Sequence, residues 1–401
     1  MKTGVIHWGF PPRGGGVEAH LITVLPEMVK QGSDVFVLTE TMEGQPDNSV
    51  VSGLRVLRRQ ELSVSNLDKM TEIYKTCRSL FEEFIQENRI EIIQAHNLHM
   101  DYFQFSHALT DVCKEKNIPC YLILHNHEFI DRDDKTMISI LKDLPWDKLV
   151  CISDFIKQKL EERIEEISKD KWMVIMHGID IEAFSPLAFE EKERLRHEYG
   201  FTKRRIILHP ARILRWKGIV PAIKALPEVI QSFPDTLLVL TGRIKPIFKE
   251  QEEIKNYNLL VDQTVQDLKL EQHVHIGKYG FSDIPKLTAI SDLVIYTTIG
   301  DEPFGLCPVE AMACSVPAVI TRSGGLVESI VDGETGFIIE KKEETIPAQL
   351  AEKTITLFSN PDLAKKLGQA GRARAVKFFD KKRMAKDFME LSKQLIRAHG
   401  H

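Results

Sequence analysis

Two carboxylates beside a short loop are the residues of this chain best suited to chemistry. Glu302 lies in the segment 300–306 (GDEPFGL), and Glu310 follows eight positions later. The apolar run 292–298 before them is typical of a buried strand, and Pro308 suits the first position of a helix. This predicts Glu310 in the first helical turn. Because an ionised carboxylate only accepts hydrogen bonds, the pair suits the hydroxyls of a ribose or another sugar.

The same junction offers backbone donors for an anion. The N–H groups of Phe304, Gly305 and Leu306 come directly before or at the start of the predicted helix, whereas Pro303 has no N–H to offer. A helix N-terminus with free N–H groups suits a polyphosphate. The junction therefore predicts a site for a nucleotide-sugar. The alternative is that Glu310 only complements the helix dipole and that the other acid is a solvated loop residue.

Basic side chains follow another predicted strand, 204–210. Arg212 and Lys217 lie in the segment 210–218 (PARILRWKG). Two cations at the carboxyl end of a strand can clamp a diphosphate, and they stabilise the negative charge that grows on it as a sugar–phosphate bond breaks. Arg215 competes for this role, and a solvated basic loop is the alternative.

Histidines follow the predicted strand 121–124. His125 and His127 come directly after its end, at the edge of an open sheet where ligands bind. A metal site built from His96, His99 and these two histidines is the rival interpretation. It is disfavoured because no acidic ligand pattern accompanies the histidines.

A glycine loop, 14–16, precedes a predicted helix at 17–31. The N–H groups of Gly15 and Gly16 can approach a phosphate or a sugar closely. The loop lacks the spacing Gly-x-Gly-x-x-Gly, which weakens a dinucleotide interpretation. A plain turn is the alternative.

Strands and helices alternate along the chain, which predicts α/β folding with parallel sheets. After a break near 184–201 a second series of strands begins, so two Rossmann-like domains in tandem are expected. A final helix over 380–397 carries Met384, Phe388, Leu391 and Leu395 on one stripe, and Pro26 should kink the first helix or shift its boundary. The predicted strands are 2–7, 35–39, 92–95, 121–124, 148–152 and 172–176, and then 204–210, 236–240, 274–276, 292–298, 317–321 and 336–339.

Composition narrows the class of protein. The chain has 401 residues, 43% hydrophobic and 28% charged, so two globular domains are the prior expectation. A net charge of −5 gives no global reason to bind nucleic acid. There is no apolar run long enough to span a membrane, no signal peptide, and no Cys-x-x-Cys among the six cysteines, which favours a cytoplasmic protein with free thiols. Peripheral membrane contact through the basic stretch 365–393 is not favoured over a solvated helix face.

The ordered set of motifs resembles the retaining GT-B glycosyltransferases (glycosyltransferase family 4, glycosyl transferases group 1). The pattern Glu-x-Phe-Gly, with a second Glu eight positions after the first and Ala-Met-Ala following, carries most of the resemblance. The remaining pieces occur in the family's order, and the resemblance covers nearly the whole chain. They are 14–18 (GGGVE), 153–155 (SDF), 177–180 (HGID), Arg212, 217–218 (KG), 324–325 (GG) and 332–336 (DGETG).

The resemblance implies a GT-B architecture, with two Rossmann-like domains, a cleft between them and a C-terminal helix, 380–401, that crosses back onto the first. It assigns residues 1–185 to the acceptor and 186–379 to the nucleotide-sugar donor. It also implies transfer with retention at the anomeric carbon, through a front-face mechanism in which the leaving phosphate helps to deprotonate the acceptor. No metal and no cofactor beyond the donor itself are expected.

The resemblance also implies roles for single residues. Arg212 and Lys217 hold the donor diphosphate, and Gly15 and Gly16 lie beside it across the cleft. His125 contacts the donor sugar, with His127 as competitor. The strand around Ile276 reads the base largely through backbone groups, which leaves uridine against guanosine open. Arg243 departs from the family's glycines at that place; it reads the base or an anionic acceptor, or is simply exposed.

The sequence thus predicts a retaining glycosyltransferase that moves a hexosyl or N-acetylhexosaminyl group to a hydroxyl of a small molecule or glycan. A UDP-sugar donor is favoured, with a GDP-sugar as alternative. Loops near Arg13, 96–101 and 125–128 are expected to line the acceptor side, and a soluble acceptor is preferred to a lipid-linked one. The rival functions are a nucleotide-sugar epimerase of GT-B fold and a non-catalytic nucleotide-sugar-binding protein.

Overall fold

A computed structural model describes residues 1–62, 73–98, 103–131, 134–242 and 251–400. The chain folds into two compact units. The first unit comprises Met1–Gly178 and Lys381–His401, and the second comprises Ile179–Asp380. Each unit is built around its own sheet.

The sheet of the first unit has eight strands in the order β3-β4-β2-β1-β5-β6-β7-β8. All neighbours pair in parallel except β3, which runs antiparallel to β4 at one edge. The central strands are buried apart from Lys2 at the start of β1, as expected of a parallel sheet covered on both faces. The strands are β1 Lys2–Ile6, β2 Asp34–Glu40, β3 Asn48–Val51, β4 Leu54–Arg59, β5 Ile92–His96, β6 Cys120–Leu124, β7 Lys148–Cys151 and β8 Trp172–Val174.

Helices connect these strands, and one further helix reaches the unit from the end of the chain. The C-terminal helix, Lys381–Ala398, packs against α1. Its predicted apolar stripe is confirmed, because Met384, Phe388, Leu391 and Leu395 are all buried. The other helices are α1 Gly16–Lys30, α2 Ile73–Asn88, α3 Phe103–Glu115, α4 Glu128–Asp131, α5 Lys135–Asp143 and α6 Asp154–Arg163.

The second unit has a six-stranded, wholly parallel sheet in the order β11-β10-β9-β12-β13-β14. Counted from its own first strand this is 3-2-1-4-5-6, the doubly wound order of Rossmann folds, in which ligands bind where the strand order reverses. The reversal lies between β9 and β12. The strands are β9 Arg205–His209, β10 Thr236–Leu240, β11 Val274–Ile276, β12 Leu293–Tyr296, β13 Ala318–Thr321 and β14 Phe337–Ile339.

The helices of the second unit cover both faces of this sheet. A large apolar core lies between the sheet and the helices that flank it. The helices are α7 Phe189–Glu198, α8 Ile219–Ser232, α9 Gln251–Asp267, α10 Ile284–Ile290, α11 Leu306–Ala313, α12 Leu326–Ser329, α13 Ile346–Ser359 and α14 Pro361–Phe378. Among the helices in the described part of the chain, none is both long enough and apolar enough to cross a membrane.

The fold class, two Rossmann-like α/β domains, is confirmed, and every predicted strand exists within two residues of its expected ends. The edge hairpin of β3 and β4 was missed. Its turn, Ser52-Gly53, has both residues at positive φ, and β4 alternates buried and more exposed residues as a half-buried strand does. All six cysteines are free thiols, as expected.

Three local expectations are wrong. Helix α7 occupies the predicted break at 184–201; it buries only Leu195, so it lacks the apolar stripe that would have revealed it. Helix α1 runs on both sides of Pro26, so of the two expected effects the shifted boundary is wrong and the kink stays a prediction. Helix α11 begins two residues before Pro308, which makes Glu310 its fifth residue rather than part of the first turn. Proline is tolerated at that third position because N–H groups of the first turn have no partner within the helix.

Candidate functional site

A tight turn after β9 brings the predicted basic residues to the end of β12. Lys217 closes a short 3₁₀ turn, Arg215–Lys217, and Gly218 follows in the left-handed region with φ 69°. A Cβ at Gly218 would lie 1.8 Å from the carbonyl oxygen of Thr297. The Thr297 hydroxyl donates to the Gly218 carbonyl at 3.0 Å. Only glycine fits here, and the chain is thereby pinned across the point where the strand order reverses.

His209, the last residue of β9, supports this turn. Its Nε2 lies 3.0 Å from the Thr297 hydroxyl oxygen. The Thr297 hydroxyl donates its only proton to the Gly218 carbonyl, so its oxygen accepts a hydrogen bond from His209. The imidazole therefore carries its proton on Nε2. Burial lowers the pKa of His209 to about 3, and the nearby charge of Lys217 adds to the effect. The neutral ring therefore fixes the turn without adding charge.

Lys217, Tyr296 and Glu302 form a closed cluster, which we name the lysine triad. The Lys217 ammonium donates to Glu302 Oε2 at 2.6 Å and to the Tyr296 hydroxyl, which itself donates to the same Oε2 at 3.2 Å. The side chains of Lys217 and Glu302 are only 8% and 12% exposed. Burial lowers the pKa of Lys217, and the Glu302 carboxylate opposes that shift. The triad is thus a charged pair held largely away from water.

The backbone of the loop that carries Glu302 is fixed by the segment after β13. The Glu302 N–H donates to the Ser323 hydroxyl at 3.2 Å, and the Gly325 N–H donates to the Glu302 carbonyl at 2.8 Å. A Cβ at Gly324, whose φ is 47°, would lie 2.3 Å from that carbonyl oxygen. The predicted Gly324-Gly325 motif therefore serves close packing beneath the loop.

Arg212 differs from Lys217 in its surroundings. Its side chain is exposed and makes no hydrogen bond or ion pair with the part of the chain that the structure describes. Its charge adds to burial in lowering the pKa of Lys217. Two cations thus lie near one another with Glu302 as the close counter-ion, an arrangement suited to a doubly charged anion.

Glu310 lies on α11 and is half-buried. Burial raises its pKa to about 7, and no donor in the described residues reaches its carboxylate. At the start of the same helix, the N–H groups of Gly305 and Leu306 donate to no described residue. Phe304, by contrast, turns its side chain into the core beside Phe379. The junction therefore carries a carboxylate acceptor and backbone donors on one segment, and their role in binding a donor stays a prediction.

In the first unit, His125 belongs to a buried group of imidazoles, which we name the histidine cluster. Its Nε2 lies 3.0 Å from His96 Nδ1, and His20 Nδ1 lies 2.9 Å from His177 Nδ1. His7 donates from Nδ1 to the His96 carbonyl at 2.9 Å. These residues follow or end β1, β5, β6 and β8, or lie on α1, and each is at most 8% exposed.

Burial sets the charge of the histidine cluster. It lowers the pKa values of His20, His96 and His125 well below the ordinary range, and it lowers that of His177 to about 3. The rings of these four histidines are therefore neutral, and the two short nitrogen–nitrogen distances are those of N–H···N hydrogen bonds.

Three of these rings are also placed where a metal ion would find ligands. One nitrogen each of His20, His96 and His125 lie within 4.8 Å of one another. Neutral imidazoles are good ligands for zinc and related ions. The predicted rival metal set is only partly assembled: His96 and His125 adjoin, His127 packs on Phe155 instead, and His99 lies outside the described residues.

The remaining predicted site residues are placed as follows. Gly15 is the residue before α1, where a Cβ would lie 2.2 Å from a Glu18 carboxylate oxygen, and Gly16 begins the helix. Ile276 ends β11 and pairs with Leu240. Arg243 lies outside the described residues, so its role stays a prediction.

Sequence reasoning gave no individual role to the following residues, although Glu18 and His177 lie in the motifs 14–18 and 177–180: Tyr296, Thr297, His209, His7, His20, Glu18 and His177. Tyr296 and Thr297 read as part of an apolar strand end. The signal that was available is position, since His7, His96 and His209 each stand at or just after the end of a central strand. Polar residues at that edge are the ones that reach a ligand in an open sheet.

Comparison with known proteins assigns a family model to each half of the chain. Residues 14–183 match Glycosyltransferase Family 4, and residues 191–374 match Glycosyl transferases group 1. A curated relative, the spore coat protein SA of Bacillus subtilis (strain 168), is 28% identical over 61% of this chain and 64% of its own length. The chain aligns with 49% to 64% of the length of the first curated relatives that it matches.

Solved structures with similar folds cover nearly the whole chain. A sucrose-phosphate synthase from Thermosynechococcus elongatus has a TM-score of 0.81 at 20% identity, covering 99% of both chains. Anabaena HepE, crystallised with UDP-glucose, has a TM-score of 0.77 at 20% identity, covering 98% of this chain and 100% of its own. At this identity the likeness establishes the fold.

Proposed function

This chain belongs to the GT-B glycosyltransferases of family 4 and group 1, and we propose that it transfers a hexosyl or N-acetylhexosaminyl group from a nucleotide-sugar to a hydroxyl. The acceptor is a small molecule or a glycan. A UDP-sugar is favoured as donor because a structure of the same fold, Anabaena HepE, holds UDP-glucose. A GDP-sugar is the alternative.

The observation that carries this proposal is the set of groups at the strand-order reversal of the second unit. Arg212, Lys217, Glu302 and Glu310 all lie on segments that follow β9 or β12. The N–H groups at the start of α11 belong to the same segment. Cations and N–H groups suit the diphosphate, Glu310 suits the ribose hydroxyls, and Glu302 suits the sugar hydroxyls.

Catalysis follows from fixed charge. As the bond between the anomeric carbon and the diphosphate oxygen breaks, negative charge grows on the leaving phosphate. Arg212 and Lys217 lie on the segment that follows β9, and their positive charges are proposed to stabilise the transition state more than the ground state. We propose retention of anomeric configuration by a front-face attack, in which the leaving phosphate accepts the proton of the acceptor hydroxyl. With two cations on the diphosphate, no divalent ion is needed to neutralise it.

The first unit is proposed to bind the acceptor. Loops after its strands bring Arg13, His125 and Phe129 to the carboxyl edge of the sheet, and His125 is proposed to contact the donor sugar. Arg13 pairs with Glu40 and lies over the ring of Trp8 at 4.5 Å. Polar groups beside an aromatic face suit a hydroxyl-rich acceptor, so we favour a soluble one. The six free thiols fit a cytoplasmic enzyme.

One experiment tests the activity against its rivals. The full chain is incubated with UDP-glucose, UDP-N-acetylglucosamine and GDP-mannose, with and without a panel of sugars and cyclitols. Products are identified by mass spectrometry, and the anomeric configuration by NMR. A glycosylated acceptor with retained configuration is expected. Conversion of the donor without acceptor would indicate an epimerase, and binding without turnover of any mixture would indicate a non-catalytic protein.

A further inference from the structure

The lysine triad ties together two groups that the proposed function needs separately. Lys217 is proposed to bind the diphosphate and Glu302 the sugar, yet the 2.6 Å hydrogen bond joins them to each other. Arg212, nearby, makes no such contact with described residues. Donor binding must therefore replace an existing buried ion pair rather than fill two vacant sites.

We propose that Glu302 is an internal counter-ion that Lys217 exchanges for the donor diphosphate, so that the site favours an intact nucleotide-sugar over the free nucleoside diphosphate. This inference rests on the proposed function. With an intact donor, both released groups gain partners: the ammonium turns to phosphate oxygens, and the carboxylate accepts from sugar hydroxyls. Both charges of the resting Lys217–Glu302 pair thus have a new partner when the intact donor is bound.

A free nucleoside diphosphate offers a new partner to Lys217 but none to Glu302. Lys217 gains phosphate oxygens, but the Glu302 carboxylate, 12% exposed, loses its cation and gains no hydroxyl. Separating one partner of a buried pair leaves an uncompensated charge, which is strongly unfavourable. The resting pair therefore weakens binding of the product that remains after sugar transfer, and it favours release of that product.

Tyr296 holds the Glu302 carboxylate in place during the exchange. Its ring is 4% exposed and lies beneath the Lys217 ammonium, 4.8 Å from the ring centroid. Its hydroxyl already donates to Glu302 at 3.2 Å, so that hydrogen bond persists when Lys217 moves. The carboxylate thereby stays oriented for a sugar hydroxyl. We assign Tyr296 as a positioning residue that acts through Glu302.

Calorimetry on the full chain tests the exchange. Wild type is titrated with the pairs UDP and UDP-glucose, UDP and UDP-N-acetylglucosamine, and GDP and GDP-mannose, and the pair that binds is used for the variants. Glu302→Gln keeps the shape but removes the charge. It should tighten free diphosphate binding by ~10-fold, about 1.4 kcal/mol, and weaken the matching nucleotide-sugar by a similar factor.

Asp301→Asn is the control variant, because it keeps the Lys217–Glu302 pair and removes a neighbouring acid of the same loop, which pairs with Lys341 instead. It should keep the preference for the intact donor, with a ratio of the two dissociation constants within about threefold of wild type, as expected of a surface ion pair.

Tyr296→Phe tests the positioning role. It removes the hydroxyl that donates to Glu302, so it should weaken binding of the intact nucleotide-sugar by roughly fivefold, the scale of one hydrogen bond, and weaken the free diphosphate less. Equal losses for the two ligands would contradict the role.

The outcomes separate this inference from the function on which it rests. If wild type binds none of the pairs, the proposed function fails and the inference fails with it. If wild type binds but Glu302→Gln holds the free diphosphate no more tightly, the counter-ion exchange is wrong while the donor site stands. Should Glu302→Gln not fold, a wild-type structure with the bound diphosphate decides: the distance from Lys217 Nζ to Glu302 Oε2 should increase beyond ~4 Å, the usual limit of an ion pair.

Discussion

The strand-order reversal of each sheet holds a buried group of titratable side chains, and the two groups deal with charge in opposite ways. In the first unit, β1 and β5 end at the histidine cluster, in which four neutral imidazoles form two N–H···N pairs, His96 with His125 and His20 with His177. In the second unit, β9 and β12 end at the lysine triad, where a cation and a carboxylate are paired. Burial favours neutrality where the groups are alike, and retains charge where a counter-ion lies within hydrogen-bonding distance.

The lysine triad can therefore exchange one partner for a charged ligand, whereas the histidine cluster can do so only after its imidazoles gain protons. An ion pair can trade its partner for an external charge of the same sign. A group of neutral imidazoles has no charge to offer, so its response to the solvent is set by pH.

The largest effect concerns the charges of the second unit. Lys217→Ala or Arg212→Ala should lower turnover by at least ~100-fold, the scale of removing one preorganised charge-stabilising group. Steady-state kinetics with the donor that proves active measures it. Arg215→Ala is the matched control, because Arg215 is exposed on the same turn and lies 4.0 Å from Glu343. A folded Arg212→Ala or Lys217→Ala variant with more than half the wild-type activity would reject the assignment.

The next effect is a loss of stability at low pH, caused by protonation of the histidine cluster. The pKa of His177 in the folded chain, about 3, lies below the value of about 6.5 in an unfolded chain. The neutral form is therefore favoured by folding, so this stabilisation is complete above pH 6.5 and is lost as pH falls from 6.5 toward 3. For this histidine the loss between pH 7 and pH 5 is about 2 kcal/mol of unfolding free energy.

Denaturant titration at pH 7 and pH 5, followed by hydrogen exchange of the first unit, measures that loss. His177→Gln removes one titrating group and should reduce the difference between the two pH values. His107→Gln is the control, because that side chain is 43% exposed and lies outside the histidine cluster. Equal stability of wild type at the two pH values would show that the cluster is not held neutral by the fold.

A smaller effect concerns Glu310. Its raised pKa, about 7, means that it is protonated below neutral pH and then loses acceptor capacity for ribose hydroxyls. Affinity for the free nucleoside diphosphate should therefore fall by up to ~10-fold between pH 8 and pH 6, because the ionised fraction of a carboxyl with this pKa falls by that factor. Glu310→Gln should show a weaker dependence over the same range. Comparing the two proteins removes the contribution of the ligand's own phosphate titration, and identical pH profiles would contradict the role.

Sequence patterns predicted the strands of both units because buried parallel strands are continuous apolar runs, as in β6 and β10. They failed on α7, whose exposed surface hides the helical period, and on the edge hairpin of β3 and β4. They identified Arg212, Lys217, Glu302 and Glu310 as candidates from residue type and position. They could not reveal the lysine triad, because the partnership of Lys217 with Tyr296 depends on how β9 and β12 lie side by side.

The histidine cluster shows the same limit. His96 and His125 were grouped only in the disfavoured metal-site interpretation, because each stands at the end of a predicted strand. His20 was not, because nothing in the helical pattern of α1 distinguishes a histidine that faces other histidines from one in an ordinary core. Pairing across elements distant in sequence is a tertiary property, and it decides charge state in both units.

The last prediction is that removal of metal ions leaves transfer activity unchanged. If the cations of the second unit neutralise the diphosphate, transfer activity should be unchanged after incubation with EDTA and gel filtration. The histidine cluster makes this a real test, because His20, His96 and His125 place ligand atoms within 4.8 Å of one another. Loss of activity that zinc or manganese restores would show that an ion takes part. His20→Ala then locates that ion: if the variant keeps the EDTA sensitivity, the ion acts at the diphosphate, whereas loss of both the bound metal and the activity would place it among the imidazoles. In the second case the neutral cluster would be the ligand shell of a cation, and the contrast between the two units would disappear.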